Sequence, residues 1–485
     1  MPARDGQEYL DGLKGRPREV HIRGQQVSDV TSFPGLANGA RTVASLYDMQ
    51  HDPELKEEMT YTSPSSGQPV GLSFLTPRTK EDLKLRHRMM SHWAHTGFGM
   101  MGRTPDFLNA SLMAFATAGD YFAQNRPEFK QNIIDYYEFV RENDLALTHS
   151  LVNLQRHRRP SATSRDYSTD VALAVVKETD AGLVVKGPRA LATLGPLADE
   201  IAVYPTRNSL LGNDEDAKRF SFAFALPCDA PGLKFLCRES YDLERSHFDH
   251  PLGSRFEEMD ALVLFDNVLV PWERVFLYGD IALCNELGYA TNQFIHSGHQ
   301  VVIKNVAKCE FVVGLAKLMV DTLGSGSTPQ IHALLAELME DLEIMKALLA
   351  ASEEQAQLDR WGVMCPDHVS IIVARNQMIK MYPRMAEIIQ LLGSSSLMAL
   401  PAEVDLAGPL GPEIEEYLYT ETASARDRVQ LFHLAWDLAC SAFGSRQVLY
   451  ERYFQGDWMR NATVLYQAYD TEPLTQQVRD FLAQG

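Results

Sequence analysis

The chain has 485 residues, 45% of them hydrophobic and 22% charged, with a formal net charge of −19. That length and apolar content suit a globular protein of about three domains, and they exclude a disordered chain or a collagen-like fibre. The acidic excess argues against nucleic-acid binding and against docking on anionic lipid, which need a basic face.

The first part reads as mainly helical. Residues 5–13 suit a short helix. Residues 79–94 open with Thr79 as a cap and Glu81 and Asp82 in the first turn, then carry Leu83, Leu85 and Met89. Residues 105–125 begin with Pro105 and Asp106, and residues 128–143 hold Ile133, Ile134, Tyr137 and Val140 at helical spacing. The middle changes period. Residues 167–177, 183–186, 201–204, 219–225, 232–237 and 261–270 have alternating or β-branched patterns, with a turn at Asp180 to Gly182. Short strands in succession predict an antiparallel barrel or sandwich, not a βαβ series. Long helices return from about residue 280, over 287–323, 330–361, 366–392 and 424–443, and predict a four-helix bundle. The expected class is α+β. Its domains are a helical one at 1–145, a central β-barrel at 146–279 and a helical bundle with a tail at 280–485.

The N-terminus lacks an apolar core of signal-peptide length, and no apolar run reaches the roughly 18–20 residues of a membrane span. The six cysteines are scattered and form no CxxC. Reduced thiols in a cytoplasmic protein are therefore expected.

Gly97 to Gly102 matches GxGxxG, but a dinucleotide fingerprint needs a strand before it and a βαβ unit around it. A helix precedes it here, so it reads as a turn between helices. His87, His92 and His95 have no carboxylate or cysteine at matching spacing, so no metal site is assigned. The basic run from Gln155 to Pro160 reads as a solvated loop or as a contact for a phosphate or an acidic partner. His149, Asn153 and Gln155 share one face if extended. Thr193 stands before Gly195 and Pro196, where backbone can approach a flat ligand.

Taken together, seven segments carry a resemblance. They are GRTPDF from Gly102, LTHSLVN from Leu147, LATLGPLADE from Leu191, FDNVLVPWER from Phe265, LGSSSLMALP from Leu392, FGSRQVLYER from Phe443 and GDWMR from Gly456. In this order they resemble the large oxygenase component of the 4-hydroxyphenylacetate 3-monooxygenase and chlorophenol monooxygenase family, across essentially the whole chain. The resemblance implies an acyl-CoA-dehydrogenase-like fold, a homotetramer or homodimer, and reduced FAD delivered by a separate flavin reductase. It implies ortho-hydroxylation of a phenol to a catechol with O2, through a C4a-hydroperoxyflavin.

The resemblance also implies site roles. Arg103 would stabilise the phenolate and His149 would take or share its proton, a role that suits imidazole. The 4-hydroxyphenylacetate enzymes typically carry Tyr where this chain has Phe107. That points away from 4-hydroxyphenylacetate itself, towards a halophenol or a tyrosine-derived intermediate, free or tethered to a carrier protein. His296, and after it His299, would supply the base found on the first bundle helix in the chlorophenol branch. Asn153 and Gln155 would lie along the flavin ring edge and Thr193 near its N5. Ser394, Ser395, Ser396, Arg446 and Arg460 would meet the diphosphate and adenosine, because guanidinium pairs bidentately with phosphate. The alternatives are a flavin-dependent lyase of the 4-hydroxybutyryl-CoA dehydratase type, which needs cluster thiolates, an acyl-CoA dehydrogenase, which needs a carboxylate base, and a non-enzymatic flavin-binding subunit.

Overall fold

A computed structural model describes residues 3–154, 172–205, 215–242, 244–454, 456 and 458–484. Helix Gly6–Lys14 starts at Asp5, whose carboxylate accepts the Glu8 amide while the Glu8 side chain accepts the Asp5 amide. Thr79 and Asp82 form the same reciprocal cap on Lys80–Thr96. The expected helix at 105–125 is two pieces, Pro105–Thr117 and Gly119–Ala123. The Thr117 hydroxyl donates back to the Met113 and Ala114 carbonyls, which competes with the backbone ladder there. Every residue from Pro105 to Ala116 is buried. This helix lies between Pro127–Glu142 on one side and the bundle on the other.

Two sheets follow. The larger runs Gln25–Val27, Glu19–Ile22, Leu233–Cys237, Asp260–Pro271, Gly182–Thr193, Ala174–Thr179. The smaller runs Val275–Tyr278, Phe222–Pro227, Glu200–Val203, Leu147–Ser150. The expected antiparallel barrel needs two corrections. The sheets do not close: among the described residues one isolated bridge, Val152 with Ala190, stands between them, and a barrel needs an unbroken ladder. Two strand pairs are also parallel, Glu19–Ile22 with Leu233–Cys237 and Leu147–Ser150 with Glu200–Val203.

The bundle consists of Gln293–Thr322, Pro329–Glu354, His368–Gly393 and Ala425–Ala439 packed side by side. The expected helix at 287–323 is interrupted. Asn292 takes a left-handed φ of 55° and separates Ile281–Ala290 from Gln293–Thr322. Ser441 likewise starts a new helix, Ala442–Tyr453, by accepting the Gly444 amide. The order of helices, sheets and bundle agrees with the acyl-CoA-dehydrogenase-like plan. Among the described residues no helix is long and apolar enough to cross a membrane, and all six cysteines are unpaired. Gly97 to Gly102 is a turn between helices, with Phe98 and Gly99 at φ 49° and 66°. His92 and His95 face different carboxylates, Glu58 and Glu310.

Candidate active site

A cavity of about 110 Å³ opens where helix Pro105–Thr117, the smaller sheet and the bundle meet. Arg103, Phe107, Phe115, His149 and Tyr204 form one wall, and Gln293, Phe294, Ser297, Arg375, Phe454 and Arg460 another.

Arg103 sits between the Gly97–Gly102 turn and the helix that begins at Pro105. Its amide donates to Glu258 Oε1 at 2.7 Å, and its Nη1 donates to the Tyr450 hydroxyl at 2.7 Å. The guanidinium carbon lies 4.1 Å from the Phe107 ring centre and 5.0 Å from that of Phe454. Aromatic faces hold the cation in place, and its remaining N–H groups can serve a ligand oxygen. A Cβ on Gly102 would overlap the Tyr450 hydroxyl, so glycine is required for this approach.

His149 belongs to strand Leu147–Ser150, paired with Ala202. Its ring stacks between Phe107, with centres 5.6 Å apart, and Tyr204, at 6.1 Å and 7° between planes. Burial, and then the Arg103 cation, hold its pKa well below the usual imidazole range. The ring is therefore neutral near pH 7 and able to accept a proton. Sequence patterns did not single out Tyr204, Gln293, Arg375 or Phe454. Arg375 had one available signal, a lone cation after the apolar run Ile371–Ala374. It lies 3.6 Å from the Phe294 ring centre, and burial pulls its pKa down to about 9, helped by Arg103 and Arg460.

An ion-pair hub connects this wall to strand Gly182–Thr193. Arg446 donates through Nη1 to Glu258, and through Nε and Nη2 to both oxygens of Asp260, all at 2.9 Å. Burial opposes ionisation of Asp260, but the Arg446 cation outweighs it and holds the carboxyl at about 2. Thr193 Oγ1 donates to Asp260 Oδ1 at 2.8 Å. This corrects the expected role of Arg446: its planar fork is committed to two carboxylates and joins bundle to sheet.

His296 and His299 also need correction. Successive helix residues turn by about 100°. Gln293, Phe294, Ser297, Gly298 and Val301 form the stripe on the cavity, so His296 and His299 point to the other side. There Arg86 Nη2 donates to Nδ1 of His296 at 3.3 Å and of His299 at 3.5 Å. Glu353 Oε1 meets His299 Nε2 at 2.8 Å and His87 Nδ1 at 2.7 Å. Burial lowers His299 to about 4, against the opposing pull of Glu353. Glu353 is held at about 2, its own burial outweighed by the hydrogen bonds from His299 and His87. Both values lie below those of the unfolded chain, so the unfolded chain takes up more protons on acidification. Stability present above about pH 6.5 should fall as His299 titrates towards 4, and fall further as Glu353 titrates towards 2. Urea midpoints at pH 7.5 and pH 5 should show the loss, and His299→Gln, which removes the group that titrates in that window, should flatten the slope. An unchanged slope in that variant would contradict this account.

Of the other expected flavin contacts, Arg460 lines the cavity. Ser394 and Ser395 are exposed and Ser396 half-buried in the short turn Ser394–Leu397, away from the lining. Asn153 follows Leu151 of the lining by two residues, and the Thr193 carbonyl accepts from Thr148, the neighbour of His149. Gln155 lies outside the described residues. Two features fit a reduced flavin. The buried Asn153 Oδ1 has no hydrogen-bond partner among the described residues and can accept from a ring N–H. The Thr193 hydroxyl, its proton committed to Asp260, keeps lone pairs to accept from a second N–H.

Family models described as 4-hydroxyphenylacetate 3-hydroxylase N terminal and C terminal match residues 5–277 and 284–483. The 4-hydroxyphenylacetate 3-monooxygenase oxygenase component of Geobacillus sp. (strain PA-9) is 44% identical over 483 residues, 99% of this chain and 97% of that protein. The Thermus thermophilus oxygenase component is 44% identical over 100% of this chain and 98% of its own length. A crystal structure of such an oxygenase component (HpaB), complexed with FAD and 4-hydroxyphenylacetate, matches with a TM-score of 0.92 at 44% identity, covering 99% of this chain and 98% of that one. With a cavity that joins an arginine to a neutral histidine, and with matches from end to end, the chain belongs to the 4-hydroxyphenylacetate 3-hydroxylase family of FAD-dependent aromatic monooxygenases.

Proposed function

We propose that this protein hydroxylates a phenol bearing an acidic tail, ortho to its hydroxyl, to give a catechol. The observation that carries the reading is that the Arg103 cation and neutral His149 both pack on the Phe107 ring and line the same cavity. Reduced FAD and O2 supply the electrophilic oxygen atom. His149 accepts the phenol proton, and Arg103 stabilises the phenolate oxygen, which enriches the ortho carbon in electron density. Phe107, Phe115 and Tyr204 clamp the ring and keep water from the reacting atoms. Arg375 and Arg460 add positive charge to the cavity, and no carboxylate lines it among the described residues. That charge balance favours an anionic substituent over a neutral or cationic one.

The reduced flavin would come from a separate reductase, as the oxygenase-component names of the relatives indicate. Helices Trp458–Ala468 and Glu472–Leu482 expose Trp458, Tyr466 and Phe481. Such a surface supports the expected homo-oligomer. The test is a panel with FAD and a generic reductase: 4-hydroxyphenylacetate, 4-chlorophenol and tyramine. Catechol formation per flavin oxidised should be highest with the acid and lowest with the amine. An equal or reversed order would refute the acidic-tail assignment, and no catechol from any phenol would refute the hydroxylase reading.

A further inference from the structure

We infer that a second, apolar cavity behind the active site is a dioxygen-binding chamber, an inference that rests on the oxygen-using reading above. This cavity of about 20 Å³ is enclosed by helix Pro105–Thr117, helix Pro127–Glu142 and the smaller sheet. Leu112, Ile133, Ala202, Ala223 and Phe276 form its walls. All are buried, none more than 6% exposed. Protein interiors leave few voids larger than a water molecule, so a void at this place invites a reason.

The cavity is large enough for one small molecule, since a water needs roughly 10–15 Å³ by the same measure. Water also needs two to four polar partners, and the side-chain polar groups of the wall are three hydroxyls, of Ser111, Tyr136 and Tyr204, the first two already engaged. The Ser111 hydroxyl donates to the Phe107 carbonyl at 3.0 Å and accepts from Gln293 Nε2 at 2.9 Å. The Tyr136 hydroxyl donates to Glu200 at 3.3 Å. A dry apolar chamber of this size suits a small apolar molecule, as engineered apolar cavities take up xenon. Of the reactants in the family's chemistry, dioxygen alone is small and apolar.

Its position fits the same role. Phe115, Tyr204 and Leu287 line both this chamber and the active-site cavity. The Phe115 and Tyr204 rings meet edge to face, 5.3 Å apart at 86°, and Tyr204 stacks on His149. Two ring edges and one leucine thus separate the chamber from the place where the phenol binds. Side-chain fluctuations on the picosecond to nanosecond scale can open such a partition to a diatomic molecule while retaining a phenol.

Crystals of the full chain under xenon pressure test the site directly. Xenon density between Leu112, Ala223 and Phe276 is expected, and its absence overturns the proposal. Ala223→Leu and Leu112→Phe fill the chamber without replacing any residue assigned to substrate or flavin. Each should abolish the xenon site and slow the reaction of O2 with protein-bound reduced FAD by about fivefold or more. Melting temperatures identify a variant that fails to fold, in which case the other carries the test. A filled chamber whose variants react with O2 within about twofold of the wild type would overturn the assignment. No phenol enters either measurement, so failure here is distinct from failure of the hydroxylase reading.

Discussion

Replacing Arg103 with alanine is expected to lower kcat/KM for phenol hydroxylation by about a thousandfold, or roughly 4 kcal/mol of transition-state stabilisation. In the proposed complex the cation would meet the phenolate oxygen, in a buried site where its field is weakly screened. His149→Ala should cost about 10²- to 10³-fold through loss of the proton acceptor. Both variants should still bind FAD and consume O2, releasing peroxide in place of catechol. The pH profile separates the two roles. An unperturbed imidazole would be half charged near pH 6.5, whereas His149 is held neutral well below that by burial and by Arg103. Hydroxylation should therefore remain near its maximum at pH 6 and decline only in more acid solution. Product yields measured against oxygen consumed would check this, and catechol formation within twofold of wild type in both variants would refute the assigned roles.

Glu451→Ala should be among the most destabilising single changes in the chain. The Glu451 side chain is fully buried and its Oε1 accepts from Lys304 Nζ at 2.5 Å and Lys308 Nζ at 2.6 Å. Lys308 also donates to Gln447 at 2.8 Å. Burial pulls Lys304 down to about 8 even with Glu451 beside it. Removing the carboxylate leaves two buried ammonium groups without their counter-charge, a change that costs about 3–5 kcal/mol. For a chain of 485 residues that is a fall in Tm of roughly 3–5 °C. The Lys304 ammonium also lies 5.5 and 5.3 Å from the Tyr450 and Phe454 rings, which hold Arg103. The surviving Glu451→Ala protein should therefore show a raised KM for the phenol as well as a lower Tm. A Tm within about 2 °C of wild type would show that the lysines are satisfied by other means.

Local signals in the chain were read correctly where local physics decides the outcome. The cap at Thr79 and the turn at Gly97 to Gly102 both depend on neighbours a few residues away. Arg103, Phe107 and His149, singled out through their motifs, line one cavity. The errors have a common origin in long-range packing. Whether His296 faces the cavity depends on the rotation of a helix, which residue identity alone does not set. Arg446 resembles a phosphate ligand until Glu258 and Asp260, nearly two hundred residues away, are brought to its fork. Strands Glu19–Ile22 and Gln25–Val27, of four and three residues, are too short to show a period. The parallel partner of Glu19–Ile22 is distant in the chain, so that pairing left no local trace.

That same pairing has a consequence for how the chain is made. Glu19 stands opposite Lys234, so the two strands are separated by roughly two hundred residues of chain, a very non-local contact that slows folding. At ribosomal rates of about 5–20 residues per second, Glu19–Ile22 waits for ten seconds or more before its parallel partner emerges. During that interval Val20 and Ile22, fully covered in the finished molecule, lie on an unpaired edge open to other nascent chains. The yield of active protein should therefore depend on chaperones that bind early segments, and slower growth at lower temperature should favour recovery over aggregation.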